Sequence, residues 1–248
     1  MACESGDYTE DGVPYITVVV DGGWAHRSYG HRYTSSSGVA VIIGSRTKKI
    51  LYLSVRNKYC STCNFYMSKN ETPRNHACFK NWDGPSTAME SDIIAEGFRK
   101  SREMHGLEYR RVVGDGDSNV EKALKTSVDY GRMITKVACV NHVIKNYTKS
   151  LYAIRSSGQS HAKHLTNVKI GRLAAAAKGA VSASHALKQT TQELASSLRN
   201  GPRHVFGTHN NCSPHYCQQH QQQASTTFED LPYTLQTDLM RTANNLAD

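Results

Sequence analysis

Apolar and β-branched residues are concentrated in three short stretches near the start of the chain. These stretches are residues 15–21, 38–43 and 50–55, and each has the length and composition of a strand. A polar turn of hairpin length, residues 44–49, separates the second stretch from the third. Two glycines and a polar loop separate the first from the second. The pattern therefore predicts three antiparallel strands that follow one another along the chain.

The pattern then changes to alternating helices and strands. Residues 87–104 carry apolar side chains at helical spacing, with Thr87 and Glu90 in the positions of a capping box. Strands are predicted at 109–113 and 133–138, with a short helix between them and a basic helix after them. The order of three strands, helix, strand, helix, strand and helix predicts an α/β fold with a mixed sheet and flanking helices.

The remaining third of the chain reads as a helical extension. Residues 161–199 are rich in alanine with lysine and arginine spread along them, which fits either a solvated helical bundle or an arm that faces DNA. Residues 218–223 form a polar low-complexity linker, and one more helical segment follows it. We therefore expect a core domain over residues 15–155 and a helical region over residues 156–248.

Composition favours an acidic macromolecular partner. Lys plus Arg number 30 against 21 Asp plus Glu, which gives a formal net charge of +9 and a pI of about 9.2. An excess of this kind is typical of proteins that bind a phosphate backbone, although basic proteins without such a partner also exist. The sequence has no long apolar run and no basic, apolar leader, so we expect neither a membrane span nor a signal peptide. The 7 cysteines, several of them near histidines, favour metal ligation in a reducing compartment.

Two of the predicted strands lead directly into carboxylates. Asp21 ends the first strand, and Asp115 follows the strand at 109–113 within an acidic Gly turn. Adjacent strands built in this way place two carboxylates side by side, an oxygen-rich pair that favours Mg²⁺ or Mn²⁺ over zinc. Paired ions about 4 Å apart can activate a water and stabilise the leaving oxygen of a phosphodiester. Glu90, on the apolar face of its helix, is either an additional ligand at this site or a helix-cap residue.

A polar insert at about residues 57–82 has the ligands of a zinc site. Cys60 and Cys63 form a CxxC pair, and His76 and Cys78 follow within nineteen residues of Cys60. Four ligands at this spacing can surround one tetrahedral ion, and the metal would stabilise a segment too polar to form its own core. The alternative is a set of reduced surface cysteines.

A second set of Cys and His residues is less specific. Cys139 and His142 form half of a metal site. Their partners could be Cys212 and Cys217, with His204 and His209 as the rival pair. The alternative for Cys139 and His142 is a buried core cysteine beside a hydrogen-bonded histidine.

Together these residues resemble the Mutator-like transposase domain, a DDE transposase family with a ribonuclease H-like core. The order of predicted elements is also that of the ribonuclease H-like fold. The resemblance runs from about Tyr15 to the C-terminus, and the matching stretches are residues 20–24 with Arg27, the CxxC…HxC insert, residues 88–90, residues 114–118, Cys139-x-x-His142-x-x-Lys145 and the late His/Cys cluster.

The resemblance implies a catalytic domain that acts on DNA. It implies that Asp21 and Asp115 are the first two metal-binding acids, with Asp115 preferred to Asp117 because it directly follows the strand. It also implies Mg²⁺ or Mn²⁺ together with Zn²⁺ as cofactors, DNA as partner, and a location in the nucleus. Assembly into homo-oligomers is compatible with it.

The third acid of the family is expected on a late helix. Glu193 and Glu229 are the available candidates, but neither stands in an Asn-x-x-Glu context. The expected helix would begin close to Asp248, so we expect the chain to be a fragment or a shortened derivative. Three functions follow: a transposase, a domesticated nucleic-acid-binding module without catalysis, or a structure-selective nuclease of the same fold that uses Glu90.

Overall fold

The computed structural model describes residues 7–25, 35–115, 118–212, 217 and 227–248. The chain divides into two compact units, Met1–Cys139 and Val140–Asp248. Predictions that concern Arg27, Asp117 and the linker at 218–223 lie outside the described residues. Within the described residues, no helix is both long and apolar enough to cross a membrane.

The first unit is built on a mixed sheet. Its described strands are β1 (Tyr15–Trp24), β2 (Ser37–Gly44), β3 (Ile50–Asn57), β4 (Glu108–Gly114) and β5 (Thr135–Ala138), in the spatial order β3-β2-β1-β4-β5. β1, β2 and β3 pair antiparallel, whereas β1, β4 and β5 pair parallel. The predicted mixed sheet and its three antiparallel strands are therefore confirmed. β1 continues past its predicted end at Asp21, because Gly22, Gly23 and Trp24 remain paired with β2.

The helices of the first unit differ from the predicted ones in their boundaries. They are α1 (Ser61–Ser68), α2 (Met89–Arg99), α3 (Ser101–His105) and α4 (Ser118–Ser127). The predicted helix at 87–104 is divided between α2 and α3. The predicted capping box is wrong, because Thr87 lies inside a 3-10 turn at Ser86–Ala88 and Ala88 at the N-cap offers no side-chain hydrogen bond.

The core of this unit lies between α2 and the sheet. Val18, Ile42, Ile93 and Phe98 are fully buried there. Gly97 permits the close approach, since a Cβ at this position would come within 2.5 Å of the Ile42 side chain. Because α2 packs so closely on the sheet, the beginning of the helix lies against the last residues of β1.

The second unit is helical. It contains α5 (Val140–Ser156), α6 (Gln159–His164), α7 (Asn167–Leu187), α8 (Thr191–Val205) and α9 (Tyr233–Ala247), with a 3-10 turn at Phe228–Asp230 before the last helix. Its core includes Leu151, Leu173 and Leu235. Residues 161–199 therefore belong to a bundle with its own core. The predicted domain boundary at 155/156 differs from the structural division, because α5 contributes Leu151 to the core of the second unit.

Candidate functional site

The predicted carboxylates lie at the carboxyl edge of two neighbouring parallel strands. β1 pairs with β4 up to Val19 and Val113, and Asp21 and Asp115 are each two residues further along their chains. Asp115 is exposed and directly follows β4. Asp21 is also exposed and still lies within β1, opposite Val41 of β2. Since parallel strands end at the same edge of a sheet, both acids belong to one end of the β1–β4 pair.

Glu90 approaches the same edge from the helix. It is the second residue of α2 and only 7% exposed. A Cβ built on Gly22 would lie 2.5 Å from Glu90 Oε2 and 2.6 Å from its Cγ, so the carboxylate rests on the backbone of β1 at the residue after Asp21. A glycine is required at position 22 for Glu90 to occupy this place. The N-terminal turn of α2 also favours a negative charge there.

Glu90 and Asp115 line one pocket. Its walls are mainly apolar, and its other polar side chains are Glu121 and Lys136; the complete lining is Val20, Glu90, Val112, Gly114, Asp115, Val120, Glu121, Leu124, Ile134 and Lys136. Lys136 Nζ lies 3.6 Å from Glu121 Oε2. The structure thus brings Glu90 and Asp115 together. Lys136 belongs to no motif of the sequence, and only its place in a strand predicted beside β4 points to this pocket.

Asp21 is not among the residues that line this pocket. One of its carboxylate oxygens accepts a hydrogen bond of 3.0 Å from the Gly22 backbone N–H. Glu90 lies against β1 at Gly22, the residue that follows Asp21, so Asp21 lies at the same edge of the sheet without lining the pocket.

The Cys/His insert, residues 57–82, brings its four predicted ligands into one cluster. Their ligand atoms all lie within 4.8 Å of one another: Cys60, Cys63, His76 and Cys78. His76 Nε2 is 3.3 Å from Cys60 Sγ and 3.4 Å from Cys63 Sγ, and Cys63 Sγ is 3.5 Å from Cys78 Sγ. The edges of a tetrahedral zinc site with Cys and His ligands are about 3.5–3.8 Å long. This cluster can hold a metal such as zinc.

The surroundings of the cluster suit metal ligation. His76 Nδ1 lies 2.8 Å from the Arg74 carbonyl, and a proton donated there leaves Nε2 as the nitrogen that faces the sulfurs. The backbone N–H of Cys63 lowers the pKa of the Cys60 thiol to about 6, whereas the Cys78 thiol raises the pKa of Cys63 to about 11, so Cys60 ionises more readily than Cys63. Helix α1, which the sequence pattern did not predict, begins directly after Cys60 and places Cys63 one turn away.

A second cluster lies entirely in the helical unit. It consists of His204, His209, Cys212 and Cys217, whose ligand atoms also lie within 4.8 Å of one another. Cys212 Sγ is 3.3 Å from His204 Nδ1, and Cys217 Sγ is 3.4 Å from His209 Nδ1. Burial lowers the pKa of His204, so its imidazole is kept in the neutral form that can bind a metal. This second cluster can also hold a metal such as zinc.

The second cluster contains the predicted cysteines but the rival histidines. Among the described residues, Cys139 and His142 belong to neither of the two Cys/His clusters. Cys139 directly precedes α5 and is half-buried, whereas His142 is exposed on the first turn of that helix. Residue 215, a further histidine of this region, lies outside the described residues.

The two late glutamates form hydrogen bonds that stabilise the local structure. Glu193 completes a capping box with Thr190 at the start of α8. Glu229 accepts a hydrogen bond of 2.6 Å from Thr208 and lies 3.7 Å from Arg203. Both carboxylates therefore contribute to the fold of the helical unit.

A family model for the Mutator-like transposase matches residues 1–217. No curated protein and no solved structure shows significant similarity to the chain. The matched residues include Asp21, Glu90 and Asp115, the Cys/His insert and the second cluster, and the match confirms the resemblance that the sequence motifs indicated. The chain therefore belongs to the Mutator-like transposase family.

Proposed function

We propose that this chain forms the catalytic core of a DNA transposase, which cleaves a phosphodiester and transfers the freed strand with the help of Mg²⁺ or Mn²⁺. Family membership supports a transposase-related function and implies DNA binding. The observation that supports the catalytic part of the proposal is the pocket that the buried Glu90 and Asp115 both line. We also propose a nuclear location, since the substrate is DNA.

We further propose that the core is ribonuclease H-like. Support comes from the sheet order β3-β2-β1-β4-β5, with three antiparallel strands followed by two that pair parallel to β1. The acids then occupy the carboxyl edge of β1 and β4, where ligands of open α/β sheets commonly bind.

The donor set at this edge fits a divalent cation with a preference for oxygen. Asp21, Glu90 and Asp115 would hold it through carboxylate oxygens, the ligand type that Mg²⁺ and Mn²⁺ prefer. The bound ions would supply charge stabilisation and activation of the attacking oxygen. The protein itself would fix Glu90 by burial against Gly22 and exclude water with the apolar pocket walls. Lys136 would offer a positive charge to a phosphate oxygen.

Metal-dependent nicking of supercoiled DNA by the purified chain tests this proposal. We expect Asp21→Asn, Asp115→Asn and Glu90→Gln to abolish nicking in Mg²⁺ or Mn²⁺. Glu121→Gln is the matched control, because Glu121 lines the same pocket but its two oxygens are held by Lys125 and Lys136. Nicking by Asp115→Asn or Glu90→Gln at the rate of Glu121→Gln would refute the assignment.

A module that binds DNA without cleaving it is the second candidate. It is favoured by the position of Asp21, which does not line the pocket shared by Glu90 and Asp115. Such a module would bind duplex DNA with an affinity that falls steeply with salt, because phosphate contacts release counterions. Nicking of DNA by the unmodified chain in either metal would exclude this candidate.

We propose that both Cys/His clusters bind Zn²⁺ and stabilise the segments that contain them. Metal analysis of protein purified without chelator should then find two zinc ions per chain, one for each cluster. Cys212→Ser should remove one of them. Cys139→Ser is the matched control and should leave both in place. Equal zinc content in the two variants would contradict the composition of the second site.

A further inference from the structure

The Cys/His insert presents an unusual number of large apolar side chains to solvent. Tyr59, Phe65, Met67 and Phe79 are 51%, 54%, 68% and 73% exposed. The metal-ligand cluster occupies the centre of the insert, and α1 buries none of its residues. These side chains therefore do not contribute to a local core, and large apolar groups concentrated on one small segment indicate an interaction surface.

Hydrogen bonds hold two of these aromatic residues next to each other. The side-chain amide of Asn57 donates to the Tyr59 carbonyl at 2.8 Å and to the Phe79 carbonyl at 3.2 Å. The backbone N–H of Asn57 donates to Asn81 Oδ1 at 2.7 Å, which ties the same strand end to the end of the insert. The backbone carbonyls of Tyr59 and Phe79 are thus held by one side chain, so the two residues lie close together although neither ring is buried.

The third aromatic residue is fixed on α1. The ring of Phe65 packs edge-on against Tyr66, with the ring centroids 5.6 Å apart. Lys69 Nζ lies 4.2 Å from the centroid of the Phe65 ring. The ammonium therefore covers one face of the exposed ring and places beside it a positive charge that suits a phosphate oxygen.

The charges of the insert are mostly positive. Residues 57–82 contain Lys58, Lys69, Arg74 and Lys80 as bases and Glu71 as acid. Lys69, Arg74 and Lys80 are exposed, and Lys80 Nζ also lies 2.6 Å from Asp83 Oδ1 just beyond the insert. A surface that combines exposed aromatic rings with several cations is complementary to nucleic acid, whose unpaired bases stack on rings and whose phosphates contact the cations.

We propose that the insert surface formed by Tyr59, Phe65 and Phe79 binds unpaired bases of DNA by stacking, while the surrounding lysines and Arg74 contact the phosphates. The base-paired interior of duplex DNA does not expose its base faces, so this surface distinguishes single-stranded or opened DNA from intact duplex. The inference rests on the proposed DNA-binding function and adds a specific site to it.

Fluorescence anisotropy with a labelled single strand, and with the duplex of the same sequence, tests the surface in the full chain. We expect Phe79→Ala and Phe65→Ala each to weaken single-strand binding about tenfold, the order found for loss of one stacked base. In both variants the slope of the logarithm of the binding constant against the logarithm of the salt concentration should stay the same, because stacking releases no counterions. Their duplex binding should change little. In Lys69→Ala this slope should instead become less steep by about 0.7, the value for one phosphate contact on a single strand.

The controls separate stacking from loss of structure. Tyr233→Ala removes an aromatic ring that is 81% exposed in the other unit, and it should bind single strands like the unmodified chain. Phe79→Tyr keeps the ring and should retain binding, whereas Phe79→Leu keeps only the apolar bulk and should lose it. Zinc content equal to that of the unmodified chain would show that the insert remains intact in each variant.

Two outcomes overturn different statements. Single-strand binding by Phe65→Ala and Phe79→Ala equal to that of Tyr233→Ala would overturn the stacking surface. Absence of duplex binding by the unmodified chain at low salt would overturn the proposed DNA-binding function itself.

Discussion

The contact between Gly22 and Glu90 allows the position of Glu90 to be tested by adding one methyl group to β1. In Gly22→Ala the new Cβ would lie 2.5 Å from Glu90 Oε2, far inside van der Waals contact. By itself an alanine would stabilise the strand by about 0.4–1 kcal/mol through the unfolded chain. Overpacking of a buried site costs about 1–3 kcal/mol, since Glu90 must leave its place. We therefore expect a net loss of about 1–2 kcal/mol.

Gly23→Ala is the matched control. A Cβ there would lie 3.7 Å from Val39 Cγ1, an ordinary contact, so its stability should change by less than about 1 kcal/mol. The free energy of unfolding comes from urea titration. The double variant Gly22→Ala with Glu90→Ala should regain most of the loss, which gives a coupling energy of about 1 kcal/mol or more.

The same variants test the metal site. Displacement of Glu90 should weaken Mn²⁺ binding, measured by calorimetry, by about tenfold or more, the order seen when support of a metal ligand is lost. Gly23→Ala should bind Mn²⁺ like the unmodified chain. Equal stability and equal Mn²⁺ affinity of Gly22→Ala and Gly23→Ala would refute the placement of Glu90 against β1.

Three further predictions concern stability and metal content. Cys217→Ser should lose one zinc ion and lower the melting temperature of the helical unit, and an unchanged zinc content would contradict this. Tyr109 is fully buried, and within the described structure its hydroxyl has no hydrogen-bond partner, so Tyr109→Phe should stabilise the protein by about 1 kcal/mol. The Tyr130 hydroxyl, in contrast, bonds to Ser101 and donates to the Phe98 carbonyl, so Tyr130→Phe should destabilise the protein by about 1 kcal/mol or more. Burial alone would raise the pKa of Glu96, but hydrogen bonds led by that from Arg56 lower it to about 2. A carboxyl with a lowered pKa stabilises the fold at pH values above its unfolded pKa of 4.5, and this stabilisation is lost as the pH falls towards the folded pKa of about 2. Glu96→Gln should therefore lower the free energy of unfolding by at most about 3 kcal/mol at neutral pH and by almost nothing near pH 2. Urea titration at several pH values measures this difference.

The local sequence determined the strands and the first Cys/His cluster. Short runs of β-branched and apolar residues predict β1, β2 and β3, because such side chains favour the extended backbone of a strand wherever they stand in the chain. Cys60 and Cys78 are separated by so short a segment that their convergence needed little information from the rest of the chain. Helix α1 was missed because its residues are polar or exposed and lack an amphipathic pattern.

The tertiary structure decided the second cluster and the role of Glu90. His204 and Cys212 meet because α8 ends beside the segment that carries the cysteines, and ligand spacing alone could not choose between this pair of histidines and Cys139 with His142. For Glu90 the sequence left a helix cap and a metal ligand as alternatives. Its burial against Gly22 and its pocket with Asp115 arise only when α2 packs on the sheet, since contacts between distant segments depend on packing and cannot be read from local periodicity.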